Sequence, residues 1–360
     1  MFSRVSMSSL VVAVSLAAAV FGTGCAASGE DTNEGAGAQS VPASTLARSY
    51  QGTIGTLKVM ARLEAKGTAI SGSYFYADKE TNGDVIVLSG NAVGTKLTMS
   101  EALNGKKTGS FDTSLGNGVI NGTWKSADGA TSLPIKLTAV KSGTLLAVTR
   151  KFADSAPAAD PGPSFKTCAL TASYIEVFGL DSAAAEAAIN KQLAPAKVTR
   201  DANGKCDDAG SIDTTQEVAF NANGLLSITT NKDEEHGDYP DTSISYANFK
   251  LADGAPLTGK DFFADGALAK IKDLLVKGIN ADASLAAEDK TQSLASFDMH
   301  WASVASVDDL QLGIRDTGIA IEMLNNYAHV DAALAPSETL AWADIKGSLK
   351  SGSPILPLVK

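Results

Sequence analysis

The chain has 360 residues, 44% hydrophobic and 19% charged, enough apolar material for packed cores and too much for wholesale disorder. A net charge of −10 excludes a protein that holds nucleic acid through general phosphate attraction. Three Cys and three His leave little room for a multi-ligand zinc site or an iron–sulfur cluster, and no cofactor or metal is expected.

Residues 1–24 read as an export signal. Arg4 precedes an apolar run, Leu10–Phe21. As a helix that run reaches about 18 Å, short of the ~30 Å of a bilayer core, so it fits a signal peptide better than a membrane span. It ends Gly22-Thr23-Gly24-Cys25, which resembles a bacterial lipobox, with Gly22 standing where Leu is usual. The resemblance implies that Cys25 takes an acyl anchor and becomes the mature N-terminus; cleavage after Ala27 is the alternative. Cysteine parity favours lipidation, because Cys25 leaves Cys168 and Cys206 as a matched pair for a disulfide in an exported protein. The expected location is the cell envelope, attached to a membrane by lipid. Ala26 after the Cys points to the outer membrane, facing the periplasm, if the cell has two. Residues 25–45 lack period and bulky apolar side chains and read as a flexible tether.

Residues 46–150 read as short strands. Leu57, Val59, Ala61 and Leu63 alternate with polar or longer neighbours, the period of a half-buried strand. Asn82-Gly83 stands between Tyr74–Tyr76 and Val85–Leu88, a hairpin signal. A Gly-x-aromatic unit recurs as Gly72-Ser73-Tyr74, Gly109-Ser110-Phe111 and Gly122-Thr123-Trp124. Such a Gly makes room for a neighbouring ring and permits the bend of a curled sheet. The aromatics are expected in a core; lining a ligand-holding mouth is the alternative. The segment resembles a small β domain of exported bacterial proteins through Tyr50, Gly52–Gly55, Gly72, Tyr74, Tyr76, Gly122 and Trp124, a likeness that implies fold and no activity.

Residues 151–164, with Pro157, Pro161 and Pro163, read as a Pro-rich linker. From 165 to 350 the pattern is mixed. Cys168, Leu170, Ala172 and Tyr174 alternate as a strand, and Asp181 is placed to cap a helix carrying Ala185, Ile189 and Leu193. Glu217–Phe220 and Leu225–Thr230 flank a hairpin turn, and Ser243–Leu251 is a further strand. Leu268, Ile271, Leu275 and Ile279 mark a second helix, and Leu310–Ile314 and Ile319–Leu324 form another hairpin. Residues 351–360 read as a tail. The expected fold class is α+β overall: an antiparallel β-meander, as a curled sheet or small barrel, followed by an α+β domain with an antiparallel sheet.

The second segment resembles the extracellular domain of the anti-sigma-V regulator, a bacterial lysozyme receptor. The likeness rests on Tyr174–Leu193, Gly224–Ile228, Asn248–Phe263, Gly318-Ile319, Tyr327–His329 and Trp342–Leu349, with a long variable gap near 281–306. It implies a lysozyme-binding type of fold. Where that family often carries Gly-Gly-Ala-His-Pro, this chain has Glu235-His236-Gly237-Asp238-Tyr239-Pro240. Anti-sigma activity is not implied, since this sequence has neither the sigma-binding segment nor the span.

Residues 151–360 hold 17 Lys/Arg against 30 Asp/Glu, whereas 46–150 hold 12 against 7. An acidic domain of this kind attracts a basic partner and speeds the encounter at low salt; solubility explains the same charge. The binding candidates are Asp233, Glu234, Glu235, His236, Asp238, Tyr239 and Asp241. No catalytic motif stands out: Lys107-Thr108-Gly109 lacks its Ser-x-x-Lys partner, there is no nucleophile elbow, and the histidines lack metal-ligand spacing. The expected function is non-enzymatic binding, of a lysozyme-like or other basic envelope protein. An enzyme acting on cell-wall glycan and a small-ligand β domain are the alternatives.

Overall fold

The computed structural model describes residues 46–359 apart from 78, 82–84, 163, 208, 237–239, 284 and 324–334. Residues 1–24, expected as a signal, and 25–45, expected as a tether with Cys25, lie outside the described residues, as do Asp238, Tyr239 and His329. Among the described residues no helix is long and apolar enough to cross a membrane.

The first part is a closed eight-stranded antiparallel barrel. Its strands are β1 (Ser49–Ile54), β2 (Leu57–Lys66), β3 (Ala69–Tyr76), β5 (Ile86–Val93), β6 (Lys96–Leu103), β7 (Lys106–Gly116), β8 (Val119–Ser126) and β9 (Ser132–Ala139), with β4 (Glu80–Thr81) outside the ring. β9 returns to pair with β1, so no edge remains in the ring. Period-two alternation fills the interior, and β6 places Leu97, Met99 and Glu101 inward. Tyr50, Leu63, Leu88, Leu97, Phe111 and Ile120 form one packed core, the filling expected of a barrel this narrow. Two of the repeated glycines are required by close approach. A Cβ on Gly72 would lie 2.1 Å from the Arg62 carbonyl oxygen, and one on Gly109 would lie 2.5 Å from Trp124 Nε1.

The Asn82-Gly83 hairpin is only half realised. β3 and β5 do pair, from Ala69↔Asn91 to Tyr74↔Ile86, but the connection is no two-residue turn. The chain leaves the barrel so that Glu80 and Thr81 lie parallel to Lys151 and Phe152; Asn82-Gly83 itself lies outside the described residues. Asn-Gly turns of two residues fall instead at Asn104-Gly105, Asn117-Gly118 and Asn223-Gly224, where both residues have positive φ, the geometry of type I′ hairpins.

The segment expected as linker is corrected in part. β10 runs Leu146–Pro157 and pairs along its whole length with β11 (Thr167–Phe178). Pro157 is tolerated because it closes the strand, and its carbonyl accepts from Cys206 N at 3.0 Å. The remaining strands of this sheet are β12 (Gly210–Ala222), β13 (Leu225–Glu235), β14 (Pro240–Lys250) and β15 (Pro256–Leu257), in spatial order β15-β14-β13-β12-β11-β10-β4. Pairing is antiparallel except for β11 with β12 and β4 with β10. The β11–β12 crossover carries α1 (Ala183–Leu193), whose Ala185, Ile189 and Leu193 pack on Val177, Leu226 and Phe249. Its cap is Ser182, whose hydroxyl accepts from Ala185 N at 3.1 Å, and Asp181 instead accepts from Ser142 Oγ.

Beyond β15 come α2 (Gly259–Phe262), α3 (Ala267–Ala281), α4 (Ala287–Trp301) and a three-stranded antiparallel sheet of β16 (Gln311–Ile314), β17 (Gly318–Glu322) and β18 (Ser337–Ala341), then α5 (Trp342–Ile345). Ile271, Leu275, Phe297, Ile319 and Ile345 share one core, and Ile355 is buried in it too, so the described part of the segment read as a tail packs against the domain. α4 fills the gap near 281–306. The overall class is the expected α+β.

Met60 and Phe75 of the barrel pack on Val140 and Phe178, joining it to the large sheet. Around them lies a network of three arginines and two buried glutamates. Arg62 donates to Glu176 and, at 3.0 Å, to Glu186; Arg48 reaches Glu186 at 2.8 Å and Arg150 reaches Glu176 at 2.7 Å. The Arg62 guanidinium also lies 3.9 Å from the Phe178 ring centre, and that of Arg150 the same distance from Phe75.

Candidate functional site

The long strands β12, β13 and β14 carry the acidic residues to one end of the large sheet. Asp233, Glu234 and Glu235 close β13, His236 follows, and Asp241 is the second residue of β14. Strand registry decides what they face. On one face the cross-strand row is Thr171, Asp213, Asp233, Thr242; on the other it is Leu170, Ile212, Glu234, Asp241. Two carboxylate pairs, Asp213 with Asp233 and Glu234 with Asp241, therefore stand directly opposite each other, an arrangement that destabilises a sheet. The first pair is braced from outside: Thr171 donates to Asp213, and Thr242 Oγ1 donates to Asp233 at 2.8 Å. In the second, Lys232 pairs with Glu234, while Asp241 is exposed.

A cleft of about 380 Å³ opens beside the second row. Leu170, Ile212 and Val198 give it an apolar floor, the Cys168–Cys206 disulfide one end, and Lys197, Glu234 and His236 a polar rim. Gly210 admits the imidazole, since a Cβ there would lie 2.6 Å from His236 Nδ1.

The facing wall is the loop from Ala194 to Asp207, and its hold is built from several bonds. The disulfide ties it to β11, and Cys206 donates to Pro157 O while Ala159 N donates to Cys206 O at 2.8 Å. Asp154 of β10 accepts from Val198 N at 3.0 Å and from the Arg200 guanidinium. The Arg200 hydrogen bonds hold the Asp154 carboxyl below the usual carboxylate range.

Of the sequence-predicted residues, the fold thus gathers Asp233, Glu234, Glu235, His236 and Asp241 at one sheet end, next to the predicted disulfide. Asp213, Leu170, Ile212 and Val198 complete the site and were not legible as members. Only Asp213 carried a signal, a carboxylate at an alternating position in Ser211–Thr215, and nothing in the sequence told its register.

The barrel holds a second polar cluster. Glu101 is 4% exposed and accepts from Tyr74 OH at 2.7 Å, Trp124 Nε1 at 2.6 Å and Thr108 Oγ1. Tyr74 OH lies 3.2 Å from Tyr76 OH. Burial, then the bonds to Tyr76 and Glu101, pushes the Tyr74 hydroxyl far above its ordinary range. Thr108 of Lys107-Thr108-Gly109 is thus absorbed as a framework donor, and two of the three Gly-x-aromatic units close around this carboxylate. Among the described residues no group of three or more His, Cys, Asp or Glu is placed to hold a metal ion.

No protein-family model matches the chain, and no curated protein matches it. Among solved structures it is similar to a member of the DUF3298 family from Bacteroides fragilis, at 14% identity over 61% of this chain and 99% of that one, with a TM-score of 0.45. It is also similar to a DUF3298 family protein from Pseudomonas aeruginosa PAO1, at 13% identity over 58% and 96% of the two chains, with a TM-score of 0.38.

Proposed function

We propose that this protein is a non-enzymatic binding module of the cell envelope, moored through Cys25, whose acidic sheet end takes a basic protein partner. One observation carries the reading: two pairs of like-charged carboxylates face each other in register at the ends of β12, β13 and β14. Each such pair costs the isolated sheet stability, and a cationic partner turns that cost into attraction. The excess of acids over bases in residues 151–360 extends the field that draws the partner in. The likeness of Tyr174–Leu193 and Asn248–Phe263 to the lysozyme receptor makes lysozyme the first probe.

The test is retention of lysozyme on the immobilised protein at low and moderate salt. Retention should fall as salt rises and be lost in a variant with Asp213→Asn, Asp233→Asn, Glu234→Gln and Asp241→Asn together. No retention by the unaltered protein in either buffer removes the lysozyme version; equal retention by the variant removes the acidic end as the contact.

A further inference from the structure

Resting on that reading, we infer that the cleft beside the disulfide receives one lysine or arginine side chain of the basic partner. The row Leu170, Ile212, Glu234, Asp241 runs across four neighbouring strands on the cleft side of the sheet. It changes from aliphatic to anionic in one step, between Ile212 and Glu234. Neighbouring strands lie ~4.8 Å apart, close to the length of a four-carbon stem. A side chain laid along the row from beside Leu170 therefore places its methylenes on Ile212 and Val198 and its charged head at Glu234, with Asp241 one strand beyond. Lysine and arginine are the side chains built this way, an apolar stem ending in a cation.

The charges at the cleft agree. Lys232 engages Glu234 through Oε1, and Asp241 makes no ion pair among the described residues. Lys197 and Asp207 on the loop wall are both exposed and bring one charge of each sign to the rim. The volume, about 380 Å³, lies at the small end of ligand clefts, enough for one long side chain and the backbone that carries it. A carboxylate or phosphate ligand would meet Glu234 and Asp241, and a wholly apolar one would bury their charge without a partner.

Amide NMR of the purified, disulfide-intact protein tests this with three probes: the Nα-acetyl methylamides of lysine, arginine and uncharged norleucine. Both cations should shift Leu170, Val198, Ile212 and Glu234 together and saturably, with norleucine weaker by about fivefold, the upper end of an exposed ion pair. Glu234→Gln with Asp241→Asn, two changes at the strand ends, should abolish the preference for charge. Val198→Trp, which fills the cleft, should abolish the response to all three. Shifts confined to Asp213, Asp233 and Glu235 would overturn the inference while leaving a basic partner in place. Equal binding of norleucine, or no shift at Leu170 and Ile212, would overturn it as well. Failure of the broader reading is separate: the unaltered protein would not retain lysozyme at all.

Discussion

Two groups of carboxylates in this molecule are treated in opposite ways. Inside the barrel, Glu101 is alone, buried, and met by three donors from β3, β7 and β8. At the sheet end, Asp213, Asp233, Glu234 and Asp241 are set against one another near water. A buried carboxylate with its bonds complete is a fixture of the framework. Opposed carboxylates are a standing cost, tolerated at a surface where something else supplies the positive charge. The number of acids does not separate the two regions; what each acid faces does.

The sharpest way to break the comparison is to remove the satisfied member. Glu101→Ala removes the acceptor shared by Tyr74, Trp124 and Thr108; Tyr74 keeps Tyr76, and the half-buried Trp124 and Thr108 lose their partner, at about 1–3 kcal/mol for each donor left out of reach of water. Chemical denaturation should show a loss of roughly 3 kcal/mol or more, and Glu101→Gln a smaller one. Next comes the disulfide, which closes a separation of 38 residues. Replacing Cys168 and Cys206 together by Ser should lower stability by about 4 kcal/mol at most on the chain-entropy account. It should also weaken lysozyme retention, because the loop wall is then held by Asp154 and backbone bonds alone.

A pH experiment sharpens the same point. Arg200 keeps the Asp154 carboxyl below its unfolded value of about 3.9. Its contribution is thus complete above pH ~4 and is lost as the pH falls through the lower folded value. Hydrogen exchange at the Val198 amide should accelerate below that window beyond the trend of the other sheet amides, and Asp154→Asn should remove the extra step. The smallest effect has the opposite sign. Asp213→Asn relieves one like-charge pair and should stabilise the protein by a few tenths of a kcal/mol while weakening the basic partner. A stabilisation without loss of binding would detach the acidic end from function.

Much of this was legible in sequence because it rests on short-range chemistry. Alternation in Leu57–Leu63 and the Gly-x-aromatic units pointed to a curled sheet or small barrel, of which the closed barrel forms, and Cys168 with Cys206 foretold the disulfide. Asn223-Gly224 marked its hairpin. Failures came where distant partners decide. Pro157 looked like a break, yet β11 and Cys206 hold its strand to the last residue. α4 escaped notice because much of its buried face is Ser293 and Ser296, with Phe297 and Trp301 the large groups. The acidic residues were legible as a group, but their opposition was not, since a shift of one residue would have put each on the other face.

The arginine network carries a consequence for how this chain can be cut. A fragment ending near Ala139 would keep Arg48 and Arg62 but lose Glu176 and Glu186, and would leave Met60 and Phe75 facing solvent. The complementary fragment would hold two glutamates with Arg150 as their remaining guanidinium. The barrel and the sheet are thus not beads on a string: each brings the counter-ions of the other, and exchanging either for a foreign module would strand charge at the seam.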